Sequence, residues 1–208
     1  ACNEPFSLED IAQDVLILWQ KLAIKQSHLV GFSMGGIVAQ YLAIHFPHKL
    51  HKLALISTVS HPNKLKLQES SFATTYEELH KQLASYFSPS SITKNKLLIK
   101  AMTEKMLVNI KKNHLVKKSQ QQRAALASYA THTEHYPQNI RCQTLIIHGD
   151  RDQVIAIEEA HNLTKVIKSS VLKILPNTGH LLLAECPQKL YQEITRFFQI
   201  SNSDSVKL

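Results

Sequence analysis

The stretch His28-Leu29-Val30-Gly31-Phe32-Ser33-Met34-Gly35-Gly36 decides the reading of this chain. His28 to Phe32 is a short apolar run entering glycine, the pattern of a buried strand. A helix follows from about Gly35 to Phe46, where Pro47 stops it. Between them stands Gly31-Phe32-Ser33-Met34-Gly35, a G-x-S-x-G in the strand-to-helix setting where that motif forms a sharp elbow. Such a turn strains the backbone at Ser33 and asks for small residues two positions away on each side, and both are glycine. The helix N-terminus behind Ser33 offers backbone N–H groups to negative charge developing there. Without that setting, the same residues would be an ordinary glycine-rich turn with a surface serine.

Working outward, Ser7 to Asp10 is a capping-box pattern, and Leu8, Ile11, Val15, Leu18, Trp19 and Leu22 recur at helical spacing. A helix is therefore predicted from about Leu8 to Ala23. Leu53 to Thr58 reads as a second strand. From residue 60 to 136 glycine disappears, and Glu77 to Phe87, Lys94 to Lys112 and Gln120 to His132 each read as helices. The second of these carries Leu97, Leu98, Ala101, Met102 and Met106 along one side. Strand–helix alternation then resumes. Thr144 to His148 and Val171 to Leu175 read as strands, Ile157 to Lys168 and Pro187 to Ile200 as helices, and 201–208 as a frayed polar tail. The predicted class is α/β: a parallel sheet with flanking helices, ligands lying beyond the carboxyl ends of the strands. Residues 1–59 and 137–208 form the core, and 60–136 form a helical lid insertion.

Two further strand ends carry reactive side chains. Gly149-Asp150-Arg151-Asp152 follows one, and Thr178-Gly179-His180 follows the other. Serine, then acid, then histidine is the chain order that the elbow motif accompanies. A serine hydroxyl needs a base to take its proton, histidine suits that role near neutrality, and a buried carboxylate fixes the histidine tautomer. Among 12 histidines, His180 stands out by its place after the last strand. His148 lies within a strand and reads as core or as support. Asp152 is favoured as the acid over Asp150, and either aspartate could merely satisfy the turn.

Composition narrows the field. Net charge is +8, but the lysines are scattered and no nucleic-acid module is present, so a solvated basic surface is expected and nucleic-acid binding is not. Apolar residues make up 44 % and no run is long enough for a membrane span. Cys2, Cys142 and Cys186 are odd in number and widely spaced, which points to neither a disulfide framework nor a metal pair. That cysteine usage fits a reducing cytoplasm, and Ala1-Cys2-Asn3-Glu4-Pro5 lacks the basic segment and apolar run of a signal peptide. Val206-Lys207-Leu208 only loosely matches the peroxisomal Ser-Lys-Leu ending.

Gly31-Phe32-Ser33-Met34-Gly35-Gly36, His148-Gly149-Asp150-Arg151-Asp152 and Gly179-His180-Leu181-Leu182-Leu183-Ala184-Glu185-Cys186-Pro187 resemble the three signature regions of lid-bearing α/β-hydrolases. That group includes esterases, enol-lactonases and carbon–carbon bond hydrolases. The resemblance implies Ser33 as nucleophile, Asp152 as acid, His180 as base and an oxyanion contact from the Met34 backbone N–H. It implies a small ester, thioester or acyl substrate, an acyl-enzyme, and no cofactor or metal. An acyl chain could lie under Leu97, Met102, Met106 and Leu107, or these residues simply pack the lid onto the core. Gln143 and Ala156 stand where that family often has proline, away from the chemistry. A larger departure lies upstream. Only six residues precede the capping box, and no His-Gly loop, the family's second oxyanion donor, occurs before Ser33. The expectation is a chain that enters the fold late, exposing the edge of its first strand to self-association. The alternative function is a weak or inactive hydrolase remnant that acts as a binding or interaction protein.

Overall fold

The computed structural model describes residues 5–61, 64, 73–113, 115–131 and 136–199. The opening residues 1–4 and the tail 200–208, with its Val206-Lys207-Leu208 ending, lie outside them.

Four strands form one parallel sheet: β1 (Ser27–Phe32), β2 (Leu50–Ile56), β3 (Gln143–Gly149) and β4 (Ser170–Leu175), in spatial order β1-β2-β3-β4. Helix α1 (Leu8–Lys21) precedes β1, and α2 (Met34–His45) follows it. Between β2 and β3 come α3 (Tyr76–Ser85), α4 (Lys96–Asn113) and α5 (Leu115–Ala130). The chain then runs α6 (Glu158–Val166) before β4, and α7 (Leu182–Glu185) and α8 (Pro187–Gln199) after it. The α/β class expected from the alternation is the one observed. Because the sheet is parallel, every strand ends on the same side. Phe32 pairs with Ile56, Ile56 with Ile147, and Gly149 with Leu175. The loops carrying Ser33, Asp152 and His180 therefore all leave from the carboxyl end of the sheet.

Alternation along the strands sorts the core into two layers. Leu53, Leu55 and Ile146 face a cluster built from Leu8, Ile37, Leu42 and Leu163 of α1, α2 and α6. Ala54, Ile56, Leu145 and Ile147 face Leu182 and Leu190 of α7 and α8 on the other side. Each buried Leu or Ile side chain stabilises the fold by about 1.5–3 kcal/mol relative to exposure, and the covered sheet faces hold the strand ends rigid. The expected capping box at α1 is present: the Asp10 N–H donates to Ser7 Oγ at 3.1 Å and the Ser7 N–H to Asp10 Oδ2 at 2.8 Å.

Several boundaries differ from the pattern reading. Strand β2 begins at Leu50, not Leu53, because polar His51 and Lys52 belong to it. Lys52 is buried there, its ammonium donating to the Phe197 carbonyl oxygen of α8 at 2.9 Å. The strand ends at Ile56, because Ser57 turns to a positive φ of 43°. Helix α5 starts at Leu115, five residues before the expected Gln120, since the Lys117-Lys118 pair hid its first turn. Its expected end at His132 lies outside the described residues. On α4 the expected apolar stripe is wrong in part. Leu97 is 81 % exposed and Leu98 40 %, whereas Ile99 and Thr103 are buried. Thr103 can sit inside because its hydroxyl donates to the Ile99 carbonyl oxygen at 2.7 Å, and its polarity masked the real stripe of Ile99, Thr103 and Met106.

Candidate active site

Ser33 occupies the turn between β1 and α2 with φ 52° and ψ −121°, a conformation that side-chain-bearing residues avoid. The surroundings hold it there. Its N–H donates to the Ile56 carbonyl oxygen at 2.9 Å, and its own carbonyl oxygen accepts from Thr58 Oγ1 at 2.8 Å and the Gly36 N–H at 2.9 Å. The two motif glycines are not equivalent. A Cβ on Gly31 would lie 2.6 Å from the Gly35 carbonyl oxygen and 2.7 Å from Ala39 Cβ, whereas one on Gly35 would meet nothing within 4 Å. Gly36, outside the five-residue motif, is the second forced glycine: a Cβ there would be 2.5 Å from the Thr58 side chain.

His180 leaves the end of β4 and is buried. Its Nε2 is 3.2 Å from Ser33 Oγ, and its Nδ1 is 2.8 Å from Asp152 Oδ2. A carboxylate can only accept, so Nδ1 carries the proton and Nε2 presents a lone pair to the serine hydroxyl. The imidazole lies between Phe32, at 5.1 Å between ring centroids, and Tyr86, at 6.0 Å.

The Asp152 side chain is fully buried. Its Oδ1 accepts from the Val154 and Ile155 N–H groups at 2.8 and 2.9 Å. Burial opposes its charge, but hydrogen bonds from His148, His180 and the Ile155 N–H, with the attraction of His180, outweigh that and hold its pKa well below the carboxylate range. Asp150, the competing aspartate, points elsewhere: its Oδ1 accepts from the Thr178 N–H at 3.3 Å, joining the loop after β3 to the one after β4.

His148, read from the sequence as core or support, sits against the acid. Its Nε2 is 3.0 Å from the Ile155 carbonyl oxygen and 3.3 Å from Asp152 Oδ2. Both neighbours are acceptors, so Nε2 carries the proton and is shared between them. Asp152 thus receives a donor from each of two histidines. Glu185 stands in the third signature region, five positions after His180, but the sequence reading gave it no role. Its carboxylate takes the Gly179 N–H at 2.7 Å on one oxygen, and the Ser88 N–H at 3.0 Å and Ser88 Oγ at 2.7 Å on the other.

A cavity of about 440 Å³ opens from Ser33 and Met34 toward the helical segment. Leu79 and Leu83 of α3, Met106 of α4 and Leu126 of α5 give it an apolar wall, with Arg123 of α5 at its margin. Of the residues under which an acyl chain could lie, Met106 lines this cavity, while Leu97 points to solvent. Among the described residues no group of three or more His, Cys, Asp or Glu could hold a metal ion, and no helix is long and apolar enough to cross a membrane.

Residues 1–187 match the family described as alpha/beta hydrolase fold. An uncharacterized hydrolase, YugF, of Bacillus subtilis is 25 % identical over 207 residues, covering 93 % of this chain and 73 % of its own length. The 3-oxoadipate enol-lactonase 2 of Acinetobacter baylyi is 24 % identical, covering 88 % and 68 %. The monoacylglycerol lipase ABHD6 of Mus musculus is 30 % identical over 210 residues, covering 90 % of this chain and 60 % of its own length. Among solved structures, the meta-cleavage product hydrolase CumD of Pseudomonas fluorescens superposes with a TM-score of 0.79 at 19 % identity, over 95 % of this chain and 74 % of that one.

Proposed function

The chain belongs to the alpha/beta hydrolase family, and from that premise we propose that it is a serine hydrolase of carboxylic esters or thioesters, with Ser33, His180 and Asp152 as its catalytic triad. The observation that carries this reading is the single imidazole bonded at 2.8 Å to a buried carboxylate and at 3.2 Å to a strained serine. Two of the relatives are named a lactonase and a lipase, which supports an ester-type substrate.

Ser33 Oγ attacks the substrate carbonyl carbon while its proton passes to His180 Nε2. Asp152, already charged, stabilises the imidazolium and holds its orientation. The carbonyl oxygen takes up negative charge beside the N-terminus of α2. The first N–H groups of a helix have no acceptor inside it, so the Met34 N–H is the donor for that oxygen. Collapse breaks the bond to the leaving group, which departs as an alcohol or thiol with the proton from His180. The acyl group remains on Ser33. Water then attacks the acyl carbon and gives one proton to His180, and collapse of the second tetrahedral intermediate breaks the bond to Ser33 Oγ, which takes that proton back from His180 as the carboxylic acid leaves. Helices α3 to α5 act as a lid, and the apolar wall of Leu79, Leu83, Met106 and Leu126 takes the hydrophobic part of the substrate.

A fluorophosphonate probe tests the assignment. It phosphonylates activated serines, and peptide mapping should find it on Ser33. Labelling should vanish in Ser33→Ala and in His180→Ala. A folded protein that is unlabelled, or labelled equally in Ser33→Ala, removes the proposal.

A further inference from the structure

The loop that carries His180 is bonded on one side to the loop after β3, where the Arg151 N–H donates to the Thr178 carbonyl oxygen at 2.9 Å and the Thr178 N–H to Asp150 Oδ1 at 3.3 Å, and on the other to the corner between α3 and α4. The His180 and Leu181 N–H groups both donate to the Tyr86 carbonyl oxygen, at 2.8 and 3.1 Å. Tyr86, Phe87 and Ser88 form that corner, directly after α3 ends at Ser85. The space between corner and loop has no slack: a Cβ on Gly179 would lie 2.6 Å from the Ser88 nitrogen and 2.7 Å from the Tyr86 carbonyl oxygen. Apolar packing follows the same seam, since Leu181 and Ala184 pack on the cluster of Leu83, Phe87 and Ile99.

Glu185 fills the polar part of this seam. Its Oε1 accepts from the Gly179 N–H at 2.7 Å, one residue before the imidazole. Its Oε2 accepts from the Ser88 N–H at 3.0 Å, from Ser88 Oγ at 2.7 Å and from Ser91 Oγ. Every partner is a donor, so only a carboxylate, with acceptor lone pairs on both oxygens, satisfies both sides. Charge-assisted bonds of this kind are about twice as strong as neutral ones. None of these atoms takes part in the reaction as derived above.

We propose that Glu185 is a positioning residue that fastens the His180 loop to the α3–α4 corner, so that this corner of the helical segment and the imidazole move as one body. The consequence for catalysis rests on the reading of Ser33, His180 and Asp152 given above; the mechanical coupling does not. If the corner swings from the sheet, it carries the base away from Ser33. Substrate must therefore enter by movement elsewhere in the segment.

Backbone amide exchange, read by NMR on the full chain, separates the two parts. The decisive amides are those of His180 and Leu181, which bond to Tyr86 and not to Glu185. In Glu185→Ala they should exchange at least about tenfold faster, while Leu145 to Ile147 in β3 keep their wild-type rates. The double variant Ser88→Ala/Ser91→Ala leaves Glu185 in place and removes its hydroxyl donors on the corner side, and it should shift the same amides in the same direction. In both variants turnover of a p-nitrophenyl ester should show kcat lowered by about 10- to 100-fold with KM within about twofold, as expected when a base is displaced and substrate binding stays intact. Unchanged exchange at His180 and Leu181 overturns the proposal. So does equal acceleration in β3, which would make Glu185 a general stabiliser. Should Glu185→Ala not fold, the serine double variant decides by the same criteria. A wild-type chain without esterase activity would refute the hydrolase reading while leaving the exchange result to judge the coupling.

Discussion

Two aspartates, two residues apart in one loop, have different work because only one reaches the imidazole. Asp152 Oδ2 lies 2.8 Å from His180, while Asp150 bonds the backbone of Thr178. Asp152→Asn should therefore slow fluorophosphonate labelling by about 10⁴, the usual cost of a wrong tautomer. Asp150→Asn keeps an acceptor oxygen for Thr178 and should slow it by less than about tenfold. Timed labelling of both variants makes the comparison, and equal losses would remove the distinction. His148 belongs to the same set of bonds. Replacing it by Phe leaves the buried Ile155 carbonyl oxygen and Asp152 Oδ2 each short of a donor. The expected loss is about 1–3 kcal/mol of stability, read from urea melts.

At the scale of elements, the elbow shows what a motif does and does not encode. The residues of G-x-S-x-G are spaced for a turn, but which glycines are obligatory depends on what the second strand and α2 bring near. Gly36→Ala would drive a methyl into Thr58, whose hydroxyl holds the Ser33 carbonyl oxygen. It should cost about 1–3 kcal/mol as overpacking and also disturb labelling. Gly35→Ala has open space and lies in the first turn of α2. It should be neutral or stabilising by up to about 1 kcal/mol, the helix-propensity gain. Thermal melts of the two variants, side by side, give the answer. Similar destabilisation by both would show that the backbone at Gly35 is under a constraint other than space.

The whole molecule brings one carboxylate into a setting far from that of the unfolded chain, and this sets an acid limit on stability. The pKa of Asp152 is lowered in the folded state. Its contribution is then fully present above the unfolded value near 4 and is lost as pH falls through the lower folded value. Stability should fall on acidification below about pH 4, and Asp152→Asn should flatten that part of the profile, as measured by melting temperature against pH. A second consequence concerns association. Among the described residues β1 pairs with β2 alone, and Val30 on it is 45 % exposed. Free strand edges recruit other chains. The 208-residue chain should therefore form dimers or larger species in light scattering, and Val30→Lys should reduce them. A monodisperse monomer would show that the edge is shielded.

The sequence by itself determined the order of strands and helices, the parallel class, the elbow at Ser33, and the loops that bear Asp152 and His180. Those features are local: apolar runs, helical periodicity, caps and glycine spacing act within a turn or two of chain. Tertiary structure decided which aspartate meets His180, which face of α4 is buried, which glycines are forced, and what His148 and Glu185 hold. Apart from His148, whose partners Asp152 and Ile155 lie four and seven positions on, and Gly31, crowded by Gly35 and Ala39, these depend on partners distant in sequence. Ser33 and His180 are 147 positions apart, and Glu185 and Ser88 are 97 apart. Local pattern can bring a side chain to the end of a strand, but only the closed packing of both sheet faces and the helical segment determines which donor finds which acceptor there.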